Sequence, residues 1–364
     1  MKFVCDGVVL SDAAIIVSKA CATRTVIPVY ECIKITAKND GITLVAHDGE
    51  ITIEKKIKAE VFEEGEVCVN GKMFSDFISK IAMMSVCVAE SDGGIKISYG
   101  ENSSFMQTLP ASEFPFIAGE VSADYFEVKE SDLKKLIQSV VFCCATDDSR
   151  PILRGCLLEA SGNTLQASAL DGLRMATSSC EAVGGSGHIK IVCPARTLTE
   201  ISRLLEGGEQ TLKLYVEKNM LSVCVGDTVL KSRLYLGEFV RKENIFPTSF
   251  TSKVTLQKSV LIESLERALL LIRGDKYNLV LFDIKPNGIN IAANSDMGNV
   301  SEFVEAELDG KEIKIAMNGK FLIDAMKALE EEEIVLSFNK ETSPFTVTST
   351  GISEYLIMPV RQGN

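Results

Sequence analysis

Two short stretches far apart in the chain are nearly the same: residues 69–74 read VNGKMF and residues 317–322 read MNGKFL. They lie 248 residues apart, so a unit of half that length predicts a middle copy that begins at residue 193. Residues 193–198 read CPARTL, which again places a small residue, a base and then an apolar residue where a helix would open. Self-similarity at a fixed period indicates a repeated structural unit.

Other landmarks keep the same interval. The stretch at 27–53 resembles that at 150–176, and residues 277–300 match both more loosely. Each contains an apolar strand, a turn at NDG, SGN or PNG, and a second alternating strand, which is typical of a β-hairpin. The second strands end at Ala46, Ala169 and Ala293, at intervals of 123 and 124 residues. We therefore interpret the chain as three tandem domains, residues 1–125, 126–248 and 249–364.

Each copy is predicted to contain two helices and several strands. The first helices are expected at about 11–22, 131–145 and 257–272, and the second at about 71–82, 195–206 and 319–330. Two helices among many alternating strands favour an α+β unit, with the helices on one face of an antiparallel sheet.

The composition is that of a globular protein, with 46% hydrophobic and 24% charged residues. No stretch approaches the roughly 20 apolar residues that span a bilayer, and the first residues lack the apolar core of a secretory signal. The eleven cysteines are irregularly spaced, without a CxxC pair, and all lie before residue 225. This pattern predicts reduced thiols and a cytoplasmic protein, with Cys143 and Cys144 as buried small residues in preference to a reactive site.

The sequence offers little for catalysis. The two histidines, His47 and His188, have no metal-binding spacing, and no phosphate-binding GxxxxGK[ST] loop occurs, so we expect neither a metal nor a cofactor. Asp48 and Asp171 recur and could be a catalytic pair, but both lie in Asp-Gly turn contexts that serve backbone geometry. We therefore do not expect an enzyme.

The net charge of −12 argues against simple electrostatic adhesion to nucleic acid. Basic residues nevertheless recur on the second helices, seven or eight positions apart and so on one helix face: Lys72 and Lys80, Arg196 and Arg203, Lys320 and Lys327. One alternative is an ordinary i,i+4 ion pair with the acid four residues on (Asp76, Glu200 and Asp324), worth about 0.2–0.5 kcal/mol each. A base in the first turn opposes the helix dipole, and its threefold occurrence favours a functional basic face.

Four further stretches complete the pattern: TLPASEFP (108–115), RPILRGCLLE (150–159), ALDGLRMA (169–176) and YLIMPVR (355–361). With the period, they make the whole chain resemble the bacterial DNA polymerase III beta subunit family, the sliding clamps. The resemblance implies that each chain is half of a six-domain ring, closed head to tail by two copies around duplex DNA. The implied partners are double-stranded DNA, a second copy, the replicative polymerase, the clamp loader and other proteins with clamp-binding peptides.

The resemblance also implies three sets of site residues. Those facing DNA would be Arg24, Lys72, Lys80, Arg150, Arg196, Arg203 and Lys320. Those lining a groove for extended partner peptides would be Leu153, Leu170, Gly172, Leu173, Arg174, Met175, Pro247, Asn318, Phe321, Met358, Pro359, Val360 and Arg361. Those at the dimer interface would be Met73, Phe77 and Phe105 of one copy and Leu271 and Ile272 of the other.

Two positions depart from the family pattern. Thr251 lies near the place of a common basic residue, and Leu173 stands where a polar or aromatic residue is frequent. From the residues alone, core packing is the favoured interpretation for Leu153, Leu170 and Met175. Arg174, a charge between Leu173 and Met175, is harder to explain as a core residue. A tandem-repeat scaffold that binds proteins without encircling DNA is the alternative function, and the basic helix faces distinguish the two.

Overall fold

The computed structural model describes residues 1–39, 41–115, 124–185, 187–272, 274, 277–296 and 298–361. Asp40 of the predicted NDG turn lies outside these residues. The chain forms two compact units, described in turn below. The first unit comprises Met1–Glu130, Gly184–Ser186 and Arg203–Leu234, and the second comprises Ser131–Val183, Gly187–Ser202 and Tyr235–Asn364. The three domain boundaries remain a prediction.

Six α-helices lie in the described residues, two in each predicted domain. They are α1 Gly7–Ser18, α2 Gly71–Lys80, α3 Glu130–Val140, α4 Ala195–Leu204, α5 Lys258–Leu271 and α6 Gly319–Lys327.

Within the described part of each predicted domain, one strand precedes the first helix, four or five strands lie between the two helices, and three follow the second. The first nine are β1 Lys2–Asp6, β2 Cys32–Lys38, β3 Gly41–His47, β4 Ile51–Lys58, β5 Glu60–Glu63, β6 Gly65–Asn70, β7 Ser85–Ser91, β8 Gly94–Tyr99 and β9 Asn102–Leu109. The next eight are β10 Tyr125–Lys129, β11 Gly155–Ser161, β12 Thr164–Leu170, β13 Arg174–Gly185, β14 Ile189–Pro194, β15 Thr211–Glu217, β16 Met220–Val225 and β17 Thr228–Arg233. The last are β18 Ser252–Gln257, β19 Leu279–Lys285, β20 Gly288–Ser295, β21 Gly298–Glu305, β22 Glu307–Gly310, β23 Ile313–Asn318, β24 Glu333–Phe338, β25 Phe345–Thr348 and β26 Glu354–Ile357.

The three predicted hairpins are confirmed, with the same register in each copy. Lys38 pairs with Gly41, Ser161 with Thr164 and Lys285 with Gly288, so each turn has two residues between its strands. The pairing is antiparallel in all three. The structure thus confirms the α+β class and the threefold recurrence of a clamp-type unit.

The second helices begin at the predicted residues, and in α2 and α6 the repeated asparagine caps the start. The Asn70 side chain accepts a hydrogen bond from the Met73 N–H at 3.0 Å, and Asn318 accepts from Lys320 and Phe321 at 3.0 and 3.2 Å. An asparagine cap satisfies N–H groups that have no partner inside the helix. The NGK repeat is therefore a helix-start signal that also fixes where the basic residue falls.

The predicted start of the first helix, near residue 11, was wrong. Helix α1 begins at Gly7, since the Asp6 side chain accepts from the Val8 and Val9 N–H groups at 2.8 and 3.2 Å. Ser11, at the predicted start, is buried inside the helix. Two capping residues five positions apart leave the start ambiguous in the sequence.

Each unit contains one strand pairing that joins sheets from different predicted domains. In the first unit β4 pairs with β17, from Ile51 opposite Ser232 to Lys55 opposite Thr228. In the second unit β13 pairs with β26, with Arg174 opposite Ile357. Ladder hydrogen bonds thus continue the sheet across both domain junctions.

The cysteines are free thiols, and most are buried in the cores. Burial raises the pKa of Cys5 to about 12 and that of Cys32 to about 11. Burial also raises the pKa of Cys143 and Cys144, so neither is a reactive thiolate at neutral pH. Among the described residues, no helix is long and apolar enough to cross a membrane.

A buried carboxylate holds the start of α3 in the first unit. Glu130 is fully buried; its Oε1 accepts from the Glu206 N–H and from the Gly207 N–H at 2.8 Å, and its Oε2 accepts from the Gln210 side chain. The hydrogen bond from Gln210, opposed by burial and supported by the backbone donors, lowers the pKa of Glu130. The ionised carboxylate therefore stabilises the fold.

We expect Glu130→Gln to lower the free energy of unfolding by about 1.5–3 kcal/mol at pH 7, since charged hydrogen bonds are lost. Because the pKa of Glu130 is lowered in the folded state, its carboxylate contributes its full stability above the unfolded-state pKa of about 4.3. That stability is lost as the pH falls through the folded-state pKa. The difference in the free energy of unfolding between Glu130→Gln and the parent, measured by urea unfolding, should therefore shrink below about pH 4. Glu209→Gln, at an exposed carboxylate 3.2 Å from Lys129, is the control. A difference that did not change with pH would contradict this account.

Candidate partner groove and basic helix faces

The seven basic residues predicted to face DNA are all exposed. In the first unit, the caps described above place Lys72 in the first turn of α2, and Lys80 ends the same helix two turns later. Arg24 and Arg203 belong to the same unit, whereas Arg150, Arg196 and Lys320 belong to the second. Each of α2, α4 and α6 therefore presents a basic residue in its first turn and another in its last turn.

The alternative interpretation as i,i+4 ion pairs holds for one helix and fails for another. In α2, Lys72 Nζ lies 2.8 Å from the Asp76 carboxylate, and both side chains are largely exposed. In α6, Asp324 lies four residues after Lys320 but accepts from Arg174 at 2.8 Å. Exposed pairs of this kind contribute little to stability, so pairing does not account for the repeated base.

A pocket of about 710 Å³ lies in the second unit, where the C-terminal segment meets α6. It contains seven of the predicted groove residues, namely Leu173, Asn318, Phe321, Met358, Pro359, Val360 and Arg361. Two further lining residues, Tyr277 and Leu279, were not predicted. Tyr277 is an exposed aromatic residue just before a strand, and that was the available signal. The lining is mainly apolar, as is usual for a peptide-binding groove.

Backbone hydrogen bonds fix the wall formed by residues 358–361. The pairing of β26 with β13 leads directly into it, and the Met358 N–H then donates to the Leu173 carbonyl at 2.8 Å. Two residues later the Val360 N–H donates to the Ala316 carbonyl, also at 2.8 Å. The wall is thus bound to the turn before β13 on one side and to β23 on the other, and a ligand would meet a preformed surface.

Three predicted groove residues belong to the core. Leu153, Leu170 and Met175 are buried in one hydrophobic cluster, as the core-packing interpretation expects. Met358 packs against that cluster and also lines the pocket. The three residues support the groove from below without lining it.

Two other predicted groove residues lie outside the pocket for different reasons. Pro247 lines a separate depression of about 650 Å³, beside Phe246 and Phe250. Gly172 occupies a turn with φ of +95°, a conformation that favours glycine. Its role is to turn the chain so that Leu173, which is 56% exposed, reaches the pocket.

The recurring aspartates shape the backbone. Asp171 Oδ1 accepts from the Leu173 and Arg174 N–H groups at 2.8 and 2.9 Å. Asp48 Oδ1 accepts from the Glu50 and Ile51 N–H groups, both at 3.0 Å, in the same arrangement. These contacts support the turn interpretation of both aspartates over a catalytic one.

Arg174 is largely enclosed, with 12% of its side chain exposed. Burial acts to lower the pKa of Arg174, but the carboxylates of Asp324 and Asp171 help to raise it overall, so the guanidinium remains charged. The pocket lining does not include Arg174.

The residues predicted at the dimer interface differ in exposure. Met73 and Phe105 are 60% and 53% exposed. Phe77 is half-buried, and its ring centroid lies 5.9 Å from that of Tyr99 in an edge-to-face arrangement. Leu271 is exposed, but Ile272 is only 1% exposed and packs in the core, so it cannot contribute apolar surface to a partner. Leu270 is the exposed neighbour on α5. Helix α5 was predicted to continue through residue 272, whereas it ends at Leu271.

Three models of one protein family match the chain in order. They describe the DNA polymerase III beta subunit: its N-terminal domain at residues 1–118, its central domain at 127–240 and its C-terminal domain at 243–361.

Relatives of the same kind cover the whole chain. The beta sliding clamp of Halalkalibacterium halodurans is 28% identical over 378 residues, covering 99% of this chain and 100% of that protein. The crystal structure of a DNA polymerase sliding clamp from Bacillus subtilis has a TM-score of 0.93 at 26% identity, and covers both chains fully. A DNA polymerase III beta subunit structure from Thermotoga maritima has a TM-score of 0.92 at 26% identity, also with full coverage.

Proposed function

Because the chain belongs to the DNA polymerase III beta subunit family, the sliding clamps, we propose that two copies close into a ring around duplex DNA and tether the replicative polymerase to it. The ring would combine three domains from each copy. Its contribution is processivity: the clamp performs no chemistry, and the polymerase remains at the template because the clamp cannot leave it.

The observation that carries this proposal is the exposed basic pair on each of the equivalent helices α2, α4 and α6. Sliding requires contacts to phosphate and none to base edges, since contacts that ignore sequence leave the complex free to move. A few basic side chains at fixed intervals, on a chain of net charge −12, supply such phosphate contacts without strong adhesion of the rest of the protein to DNA. Retention comes from closure of the ring, so each contact can be weak.

The pocket in the second unit supports the other half of the function. Its apolar lining and backbone-fixed wall suit an extended peptide with hydrophobic side chains, carried by the polymerase, the clamp loader or another partner. Opening of the ring would fall to a separate ATP-driven loader. A cytoplasmic location is part of the same proposal, and the free, mostly buried thiols suit a reducing compartment.

Dimerisation gives the first test. The chain weighs 39.6 kDa, so light scattering should find a species of about twice that mass across a dilution series. We expect Phe105→Asp or Leu271→Asp to give a monomer, since each buries a charge in an apolar interface. Val183→Asp, at an exposed apolar residue outside the proposed interface, is the control. A parent that was monomeric at every concentration would contradict the ring.

A protein-binding scaffold that does not encircle DNA would share the groove and the period. The clamp and the scaffold are distinguished by loading the protein onto nicked circular duplex DNA and then cutting the circle. A clamp remains with the circle and is released from the linear product. A scaffold would show no dependence on topology.

A further inference from the structure

One side chain connects three separate parts of the second unit. Arg174 Nε donates to Asp171 at 3.0 Å, its Nη1 donates to Asp324 at 2.8 Å, and its Nη2 donates to the Phe142 carbonyl at 2.9 Å. Asp171 belongs to the turn before β13, Phe142 follows α3, and Asp324 lies on α6. The guanidinium therefore links α6 to two segments from the central part of the chain.

The same guanidinium lies against a wall of the groove. Its central carbon is 4.3 Å from the centroid of the Phe321 ring and 5.4 Å from that of Phe142. A cation this close to an aromatic ring is attracted to the ring face. Phe321 lines the pocket whereas Arg174 does not, so the guanidinium supports a ring that forms part of the groove wall.

The geometry leaves Arg174 little capacity to bind a ligand itself. Each of its three nitrogens already donates to a protein acceptor, and little of the side chain reaches solvent. Asp171 is in turn fixed by the Leu173 and Arg174 N–H groups, so the anchor of the bridge is rigid. Such a planar fork with matched carboxylates holds its partners in one geometry.

We propose that Arg174 is a positioning residue of the partner groove: through Asp324 and Phe321 it holds α6 so that the Phe321 ring stays in place as a groove wall, without contacting the bound peptide. The inference rests on the proposed docking function of the groove. It differs from the expectation in the sequence analysis, where Arg174 was a lining residue. It also explains why Asp324 does not pair with Lys320 on its own helix.

The test is a double-mutant cycle on peptide affinity in the full-length protein. The probe is a fluorescein-labelled decapeptide with two hydrophobic anchors, chosen from a small panel as the tightest binder of the parent. We expect Arg174→Gln and Asp324→Asn each to weaken binding about tenfold, and the double variant to bind no more weakly than the worse single variant. Arg174→Lys keeps the charge but loses the planar fork of donors. The peptide affinity of this variant should therefore lie between that of the parent and that of Arg174→Gln.

The cycle separates positioning from direct contact. If Arg174 touched the peptide, Asp324→Asn would leave the affinity unchanged, and the two effects would add. That result, or full affinity in Arg174→Gln, overturns the inference. Thermal unfolding and native mass identify any variant that has simply lost its fold. Arg154→Gln, which breaks the exposed ion pair with Asp148, is the matched control and should bind like the parent.

The experiment distinguishes failure of the proposed docking function from failure of the positioning role of Arg174. If no peptide of the panel bound the parent, the docking function of the groove would fail, and this inference with it. If the parent bound and only the cycle disagreed, the groove would stand and the positioning role alone would be withdrawn.

Discussion

Replacement of Lys72, Arg196 and Lys320 together by glutamate should abolish retention of the clamp on circular duplex DNA. The three residues hold equivalent first-turn positions on α2, α4 and α6, and all are exposed. Each phosphate contact contributes about 0.9 to the slope of log DNA affinity against log salt concentration. The variant loses three such contacts per copy and adds repulsion from the new carboxylates, so little attraction for the duplex remains. We therefore also expect primer extension by the polymerase to become short and independent of the clamp.

The measurement is co-elution of the loaded protein with nicked circular DNA in gel filtration, at several salt concentrations. A control with the same charge change elsewhere is Lys38→Glu, Arg241→Glu and Lys340→Glu, at exposed bases outside the three helices. Peptide binding and native mass should be unchanged in both proteins. Normal retention of the first variant would show that the basic helix faces do not contact DNA.

The second large effect is expected from Phe321→Ala in the partner groove. The ring forms a wall of the pocket and rests on the Arg174 guanidinium, so its removal opens the pocket and leaves that charge facing it. Aromatic anchors at the centre of an interface typically contribute 2 kcal/mol or more, and we expect peptide affinity to fall about 100-fold. Polymerase stimulation should fall in parallel, because docking precedes processive synthesis.

Phe62→Ala is the control, since Phe62 also lies beside a cation, with the Lys2 Nζ 5.6 Å from its ring centroid, but belongs to the first unit and does not line the pocket. The labelled decapeptide described above gives both affinities by fluorescence anisotropy. Unchanged affinity in Phe321→Ala would mean that the peptide binds elsewhere, and the depression beside Phe246 and Pro247 would be the next surface to test.

The sequence was sufficient for the features that repeat. A two-residue hairpin turn recurs three times and an asparagine cap twice, and these local patterns made the period, the α+β class and the starts of α2 and α6 predictable. The start of α4, which follows Pro194, was predictable from the period alone. The start of α1 was missed because Asp6 and Ser11 are both plausible caps, and only packing chooses between them.

Features that depend on burial could not be predicted in the same way. Ile272 and Leu271 look alike in sequence, yet Ile272 packs in the core and Leu271 is exposed, because tertiary packing at the end of α5 decides which of the two is covered. Arg174 stood out as a charge between two apolar residues, but its partners, Asp324 and the Phe142 carbonyl, are distant in sequence. The groove residues could be named only through the family resemblance, and the structure was needed to separate lining from support.

The distribution of thiols has a practical consequence for watching this protein at work. Of the eleven cysteines only Cys224, on β16, is exposed, while Cys87 and Cys180 are half-buried and the others are enclosed. Burial raises the pKa of Cys180 to about 12, which leaves very little of the reactive thiolate at neutral pH. A maleimide dye added briefly should therefore react first at Cys224, a natural position that does not line the pocket. Single clamps could then be followed along stretched DNA by fluorescence microscopy without any engineered label.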